Sequence, residues 1–297
     1  MRKIFTILLI LLSSIAFSQT TPPQGLREKT PNVIAITNAT IFVSPDYQIE
    51  NATLVIRDGL IEAVGKNVAI PKDAEVVDMK GTFIYPGFIE PFSDYGISKG
   101  AEAPRFGMEP ERPHPTIERI GSLHWNAGVH PEKEASILFK PDDKAKEKLR
   151  AQGFTVVQSA NLDGIFRGSS VVVDLGDELP NDLILKKNVA QFLSFQKGSS
   201  TQDYPSSLMG SIALIRQTLH DAKWYQQAQQ AYQLNPSQVK PEQNAALAVL
   251  DGLISGTTPV IFGVQDDLTL LRAARIAEEF GLKFIYKGSG YEYRRLE

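Results

Sequence analysis

Beyond residue 31 the chain opens with short runs of apolar and β-branched residues: Val33-Ile34-Ala35-Ile36, Thr40-Ile41-Phe42-Val43, then Thr53 to Ile56 and Leu60 to Val64 on either side of Asp58-Gly59. An Asp-Gly pair between β-type runs predicts a type I′ hairpin turn, which needs positive φ at both central residues. Residues 32–84 therefore predict a small β-sandwich. The texture changes beyond Gly96. Prolines at 104, 110, 113, 115 and 131 punctuate the chain, and alternating strand and helix patterns follow. Ala145 to Ala151 predicts a charged helix, Phe154 to Val157 a short strand and Ser170 to Leu175 a buried strand. The segment Asp163 to Ser169 between them predicts a tight turn, with exposure of Arg167 to an anion as the alternative. From Ser206 to Tyr232, Leu208, Ile212, Ile215, Leu219 and Ala222 recur at three and four residues and predict one apolar face of a long helix. A helix over 241–254, a strand at Val260 to Phe262, a helix capped by Asp267 and closed by Gly281, and a strand at Leu282 to Tyr286 complete the pattern. Strand, helix, strand with short joints is the grammar of a parallel α/β barrel.

The N-terminus stands apart. Arg2 and Lys3 precede an apolar run from Ile4 to Phe17, and the small residues Ala16 and Ser18 fit a secretory cleavage pattern. The run falls short of the roughly 20 apolar residues of a membrane span. Residues 1–18 are thus expected to be a signal peptide and residues 19–31, rich in proline and poor in apolar positions, a flexible leader. A periplasmic or secreted location follows as an expectation.

The 297 residues, 42% of them hydrophobic, can build a core of ordinary size. With 31 basic and 34 acidic residues the net charge of -3 offers no broad field for nucleic acid or anionic lipid. No nucleic-acid or membrane partner is expected for the mature chain. The absence of cysteine removes disulfides, thiolate metal sites and lipid anchoring through an N-terminal Cys. Asn-Ala-Thr triplets at Asn38 and Asn51 match a glycosylation signal that would mean little in a bacterial periplasm, the expected compartment.

Histidines are few. His114, His124 and His130 fall in the proline-rich stretch and His220 on the long helix, and no spacing among them forms a His-x-His or His-Glu-x-x-His pair. His220 reads as a solvent-facing or supporting residue. The richest stretch is Pro86-Gly87-Phe88-Ile89-Glu90-Pro91-Phe92-Ser93-Asp94, which follows the β-type segment Val76 to Tyr85. Residues two apart on a strand face the same way, so Glu90, Phe92 and Asp94 share a face. Phe92 ligates nothing, whereas Glu90 and Asp94 are hard oxygen donors able to contribute to a divalent-metal site.

Together these segments resemble the opening of amidohydrolase-superfamily enzymes, and Tyr204 to Gly210 through Trp224-Tyr225 resembles secreted, imidazolonepropionase-like members. The resemblance implies an α/β fold, here a partial TIM-type (β/α) barrel with an N-terminal β-sandwich subdomain, the barrel occupying residues 85–297. It also implies metal-dependent hydrolysis of C-N bonds other than peptide bonds, with zinc or another divalent ion as the family's cofactor. In the family the strand after Pro-Gly-Phe-Ile carries Asp-x-His-x-His, and here Glu90-x-Phe92-x-Asp94 stands there. Two further ligand positions fall at Gly263 and Lys287. The chain also halts near the sixth strand of such a barrel, which predicts a fragment or a module completed by a C-terminal segment or second module. The leading expectation is a module without a competent metal site and without its own cofactor. The alternatives are an active hydrolase with a rebuilt carboxylate site at Glu90 and Asp94, and a non-catalytic module that binds a small-molecule ligand.

Overall fold

A computed structural model describes residues 32–97 and 122–295. The expected signal peptide, the leader and His114 lie outside the described residues. The chain divides into two compact units at Pro86 and Gly87.

The first unit contains β1 (Val33–Ser44), β2 (Tyr47–Arg57), β3 (Leu60–Gly65), β4 (Glu75–Asp78) and β5 (Phe83–Ile84). Asp58 and Gly59 turn β2 into β3 with φ of 49° and 79°, as the Asp-Gly pair requires. The expected sandwich is corrected here. The strands form one sheet, ordered β3-β2-β1-β4, with β5 also on β1. One sheet suffices because β1 is long enough to receive β4 along residues 34–37 and β5 at Thr40 and Ile41, both parallel.

Two of the bulges in this sheet offset each other. Between Ile36 and Ala39 the extra residue is on β1, and between Ile49 and Ala52 it is on β2, so the second shift cancels the first. Asn38 and Asn51 sit at these points with φ of 60° and 49°. Asparagine tolerates that left-handed backbone better than most residues, which explains its repeated use. Each bulge reverses the inward and outward alternation, so Ile36, Ala39 and Ile41 join one apolar cluster although their numbers differ in parity. Adjacent Leu54 and Val55 point to opposite faces, and each face carries its own small cluster.

The second unit starts with β6 (Phe88–Ser93), then the short α1 (Ala135–Leu138) and α2 (Asp143–Ala151), capped by the Asp142 carboxylate. Strands β7 (Phe154–Ser159), β8 (Phe166–Ser169), β9 (Val171–Asp174), β10 (Ile184–Lys186) and β11 (Gln191–Ser194) follow. Next come α3 (Leu208–Leu234), α4 (Ala245–Val249), α5 (Asp251–Ile254), β12 (Val260–Gly263), α6 (Asp267–Phe280) and β13 (Phe284–Lys287). One sheet is ordered β10-β9-β7-β6 and another β13-β12-β11-β8. The β6–β7 pair and the β11–β12–β13 trio are parallel.

Residues 166–174 depart from a purely parallel barrel. This segment runs antiparallel to β11 through β8 and antiparallel to β7 through β9. The expected tight turn at residues 163–169 is thus half strand. Its glycines suggested a turn, but the backbone edge of β11 recruits Phe166 to Ser169 into a ladder.

Helix boundaries follow capping chemistry. The Ser207 hydroxyl accepts from the Gly210 N–H at the start of α3, and Asp266, one residue before the expected cap, accepts from Thr269 N–H at the start of α6. The helix expected over 241–254 is two short helices, because the N–H of Leu250 turns back to the Leu247 carbonyl. Helix α3 buries Ser211, Leu214, Ile215, Thr218, Leu219, Ala222 and Tyr225 along one stripe. That stripe meets Leu193 and Phe262 in the largest core. Among the described residues no helix is long and apolar enough to cross a membrane.

Candidate functional site

The parallel trio fixes the site. Its register sets Ser194 of β11 beside Gly263 of β12, and Gly263 beside Lys287 of β13, all at the C-terminal ends of their strands. That end is where parallel α/β proteins place their chemistry. Two residues earlier, Phe192 and Ile261 share the same face and pack with Phe92, Ala160 and Ala190. Leu193 and Phe262 point the other way, into the core that includes α3 and α6 residues.

Phe92 closes one side of this face, its ring centroid 5.2 Å from that of Phe192. The Lys287 ammonium lies 5.7 Å from the centroid of the Phe92 ring, within cation–π range. Arg167, on β8, reaches the same place. A Cβ built on Gly263 would lie 3.5 Å from Phe92 Cζ and 3.7 Å from Arg167 Nη1. Arg167 is only 6% exposed, and its Nε donates to the Gly164 carbonyl at 3.0 Å. Burial pushes the guanidinium pKa down to about 10, opposed by the nearby Asp163 charge. The Asp163 carboxylate is itself engaged by the Ser199 N–H and hydroxyl, each at 2.6 Å.

The two carboxylates singled out from the sequence lie on or just past β6. Glu90 Oε1 accepts from the Phe92 N–H at 3.0 Å, and Asp94 follows the last strand residue, with its carbonyl accepting from the Ile97 N–H. Among the described residues no group of three or more His, Cys, Asp or Glu could hold a metal ion. The side chains at these strand ends are an aromatic ring, a guanidinium and an ammonium beside a glycine, none of them a usual ligand of a divalent cation.

The described histidines sit in packed surroundings. His124 Nδ1 accepts from the Asn126 N–H at 3.0 Å, and its Nε2 lies 3.3 Å from Thr218 Oγ1. Because that hydroxyl donates to the Leu214 carbonyl, it accepts from His124, which assigns the proton to Nε2. His130 is also buried, and His220 packs edge-on against Phe280. The sequence offered Arg167 as an anion contact on a loop; the structure puts it on a strand and in the interior. Ser194 carried no signal in the sequence, since its place depends on the register of β11 against β12.

An open cleft of about 380 Å³ adjoins these strand ends, and Ser194, Gly263, Ser207, Gln265, Asp266 and Arg272 are among the residues that line it.

No protein-family model matches the chain, and no curated protein matches it significantly. Solved structures do. An amidohydrolase from Thermotoga maritima aligns with a TM-score of 0.70 at 23% identity, covering 88% of this chain and 66% of that one. The chain thus spans just under two thirds of that protein's length. A prolidase complexed with N-methylphosphonate-L-proline aligns at 12% identity and a TM-score of 0.34, covering 85% of this chain and 65% of that one. The D-hydantoinase (dihydropyrimidinase) of a Thermus species aligns at 13% identity and a TM-score of 0.30, covering 85% and 57%. Overlaps that thin carry no argument. The first alignment does carry one: over just under two thirds of that protein's length, this chain has the fold of an amidohydrolase.

Proposed function

We propose that this chain is a secreted or periplasmic module of the amidohydrolase superfamily, a partial barrel that lacks a competent divalent-metal centre at the usual strand ends. The observation that carries this reading is the group of side chains gathered there: Phe92, Gly263, Arg167 and Lys287 in place of imidazoles and carboxylates. Metal-dependent hydrolysis needs a bound water of lowered pKa and a carboxylate to move its proton. Two cations beside the position work against such an ion by direct repulsion.

Metal analysis of the purified mature protein is the test. We expect substoichiometric zinc, manganese and iron after dialysis, and Asp94→Ala to leave the metal content unchanged. A full equivalent of tightly held metal that is lost in Asp94→Ala or Glu90→Gln would overturn the proposal in favour of a rebuilt carboxylate site and an active hydrolase.

A further inference from the structure

We propose that Arg167 and Lys287, with the ring of Phe92 beside both, form a binding site for a small organic carboxylate at the C-terminal ends of β11, β12 and β13. The inference rests on the reading that this face holds no divalent ion, and it adds what the face holds instead.

Three observations converge. The first is position: Gly263 stands between Arg167, Phe92 and Lys287, and a Cβ there would meet only ordinary van der Waals contacts. The missing side chain leaves the space of one methyl group about 3.7 Å from Nη1 of the guanidinium. The second is charge. Arg167 is buried, one of its five N–H donors has the Gly164 carbonyl, and among the described residues no carboxylate forms an ion pair with it. Asp163, the nearest acidic influence, already receives two hydrogen bonds from Ser199. Buried cations are normally paired, because desolvation without a counter-charge is expensive. An anion arriving from solvent supplies what the chain does not.

The third observation is shape. With Nε committed to the Gly164 carbonyl, the two Nη groups remain, and a planar guanidinium fork matches the two oxygens of a carboxylate. Phe92, packed against Phe192, offers an aromatic wall for the apolar body of such a molecule. Lys287, exposed at the strand end, adds a second positive charge at the entrance.

The test is titration calorimetry and thermal shift of the full chain with benzoate as probe, benzamide as its neutral isostere and inorganic phosphate as a tetrahedral anion. Benzoate is expected to raise Tm in a concentration-dependent way, as any ligand of the folded state does. Benzamide and phosphate are expected to leave Tm unchanged. Lys287→Ala should weaken benzoate affinity about fivefold and Arg167→Gln by about tenfold or more, as loss of charge-assisted hydrogen bonds implies. Should Arg167→Gln fail to fold, Lys287→Ala, at an exposed position, decides. No response to benzoate, an equal response to benzamide, a preference for phosphate, or an unchanged affinity in Lys287→Ala would each overturn the proposal. Metal content is measured on the same samples. Benzoate binding that vanishes with a chelator alongside a full equivalent of metal would sink the metal-free reading as well, whereas absent metal with absent binding sinks this inference alone.

Discussion

At the scale of single residues, two glycines with similar backbones separate strain from contact. Gly168 has φ of 90° next to Arg167, and a Cβ there would run into the Lys133 carbonyl. Gly281 has φ of 68° at the end of α6 with nothing within 4 Å. Positive φ alone costs a non-glycine residue about 1–2 kcal/mol, so Gly281→Ala should lose about 1 kcal/mol in urea denaturation. Gly168→Ala adds a collision with backbone that cannot rotate away, and about 3 kcal/mol or more is expected. Equal losses would mean that the Lys133 segment yields freely, and the support of β8 beneath Arg167 would then be softer than described. This position matters because the guanidinium depends on β8 for its depth.

At the scale of elements, the cap of α6 ties stability to pH. Asp266 and Thr269 form a reciprocal capping box, and the Thr269 N–H, first among several causes, holds the Asp266 carboxyl below its ordinary pKa. A carboxyl with a lower pKa folded than unfolded stabilises above its unfolded value and loses that contribution as pH falls through its folded value. Asp266→Ala should therefore lower Tm at pH 7, and the gap from wild type should close as pH falls below about 4, followed by thermal circular dichroism. A gap of constant size would attribute the effect to side-chain packing. Caps and periodicity are local, and for that reason the sequence carries them: the hairpin turn at Asp58-Gly59, the long α3 and strands β12 and β13 could all be read from residue order. The placement of Gly263 and Lys287 at strand ends was legible too, through the resemblance, whereas their pairing is seen only in the register of β12 against β13. Arg167 was not, because β8 forms by pairing with β11, more than 20 residues away, and its glycines argue locally for a turn. The single sheet of the first unit was hidden for a related reason. Nothing in the order of Val76 and Phe83 tells that both find β1 rather than a second sheet.

At the scale of the whole molecule, the second unit poses a question of edges. Among the described residues β13 pairs only with β12. Alternation places Ile285 on the same face as Ile261, yet Ile261 is 6% exposed and Ile285 is 55% exposed. Phe284 and Tyr286 on the opposite face pack against the main core, so the strand itself is anchored and only its inner face stands open. In the partial barrel proposed above, this is the side on which a further strand would continue the sheet. An apolar residue on an unpaired edge strand invites pairing with another chain, which soluble proteins normally counter with charge. The chain as given should therefore self-associate with rising concentration in sedimentation velocity, and Ile285→Lys should shift it toward monomer while leaving the far-ultraviolet circular dichroism unchanged. A wild-type chain that stays monomeric at every concentration, with Ile285→Lys indistinguishable from it, would show that the β13 edge is covered.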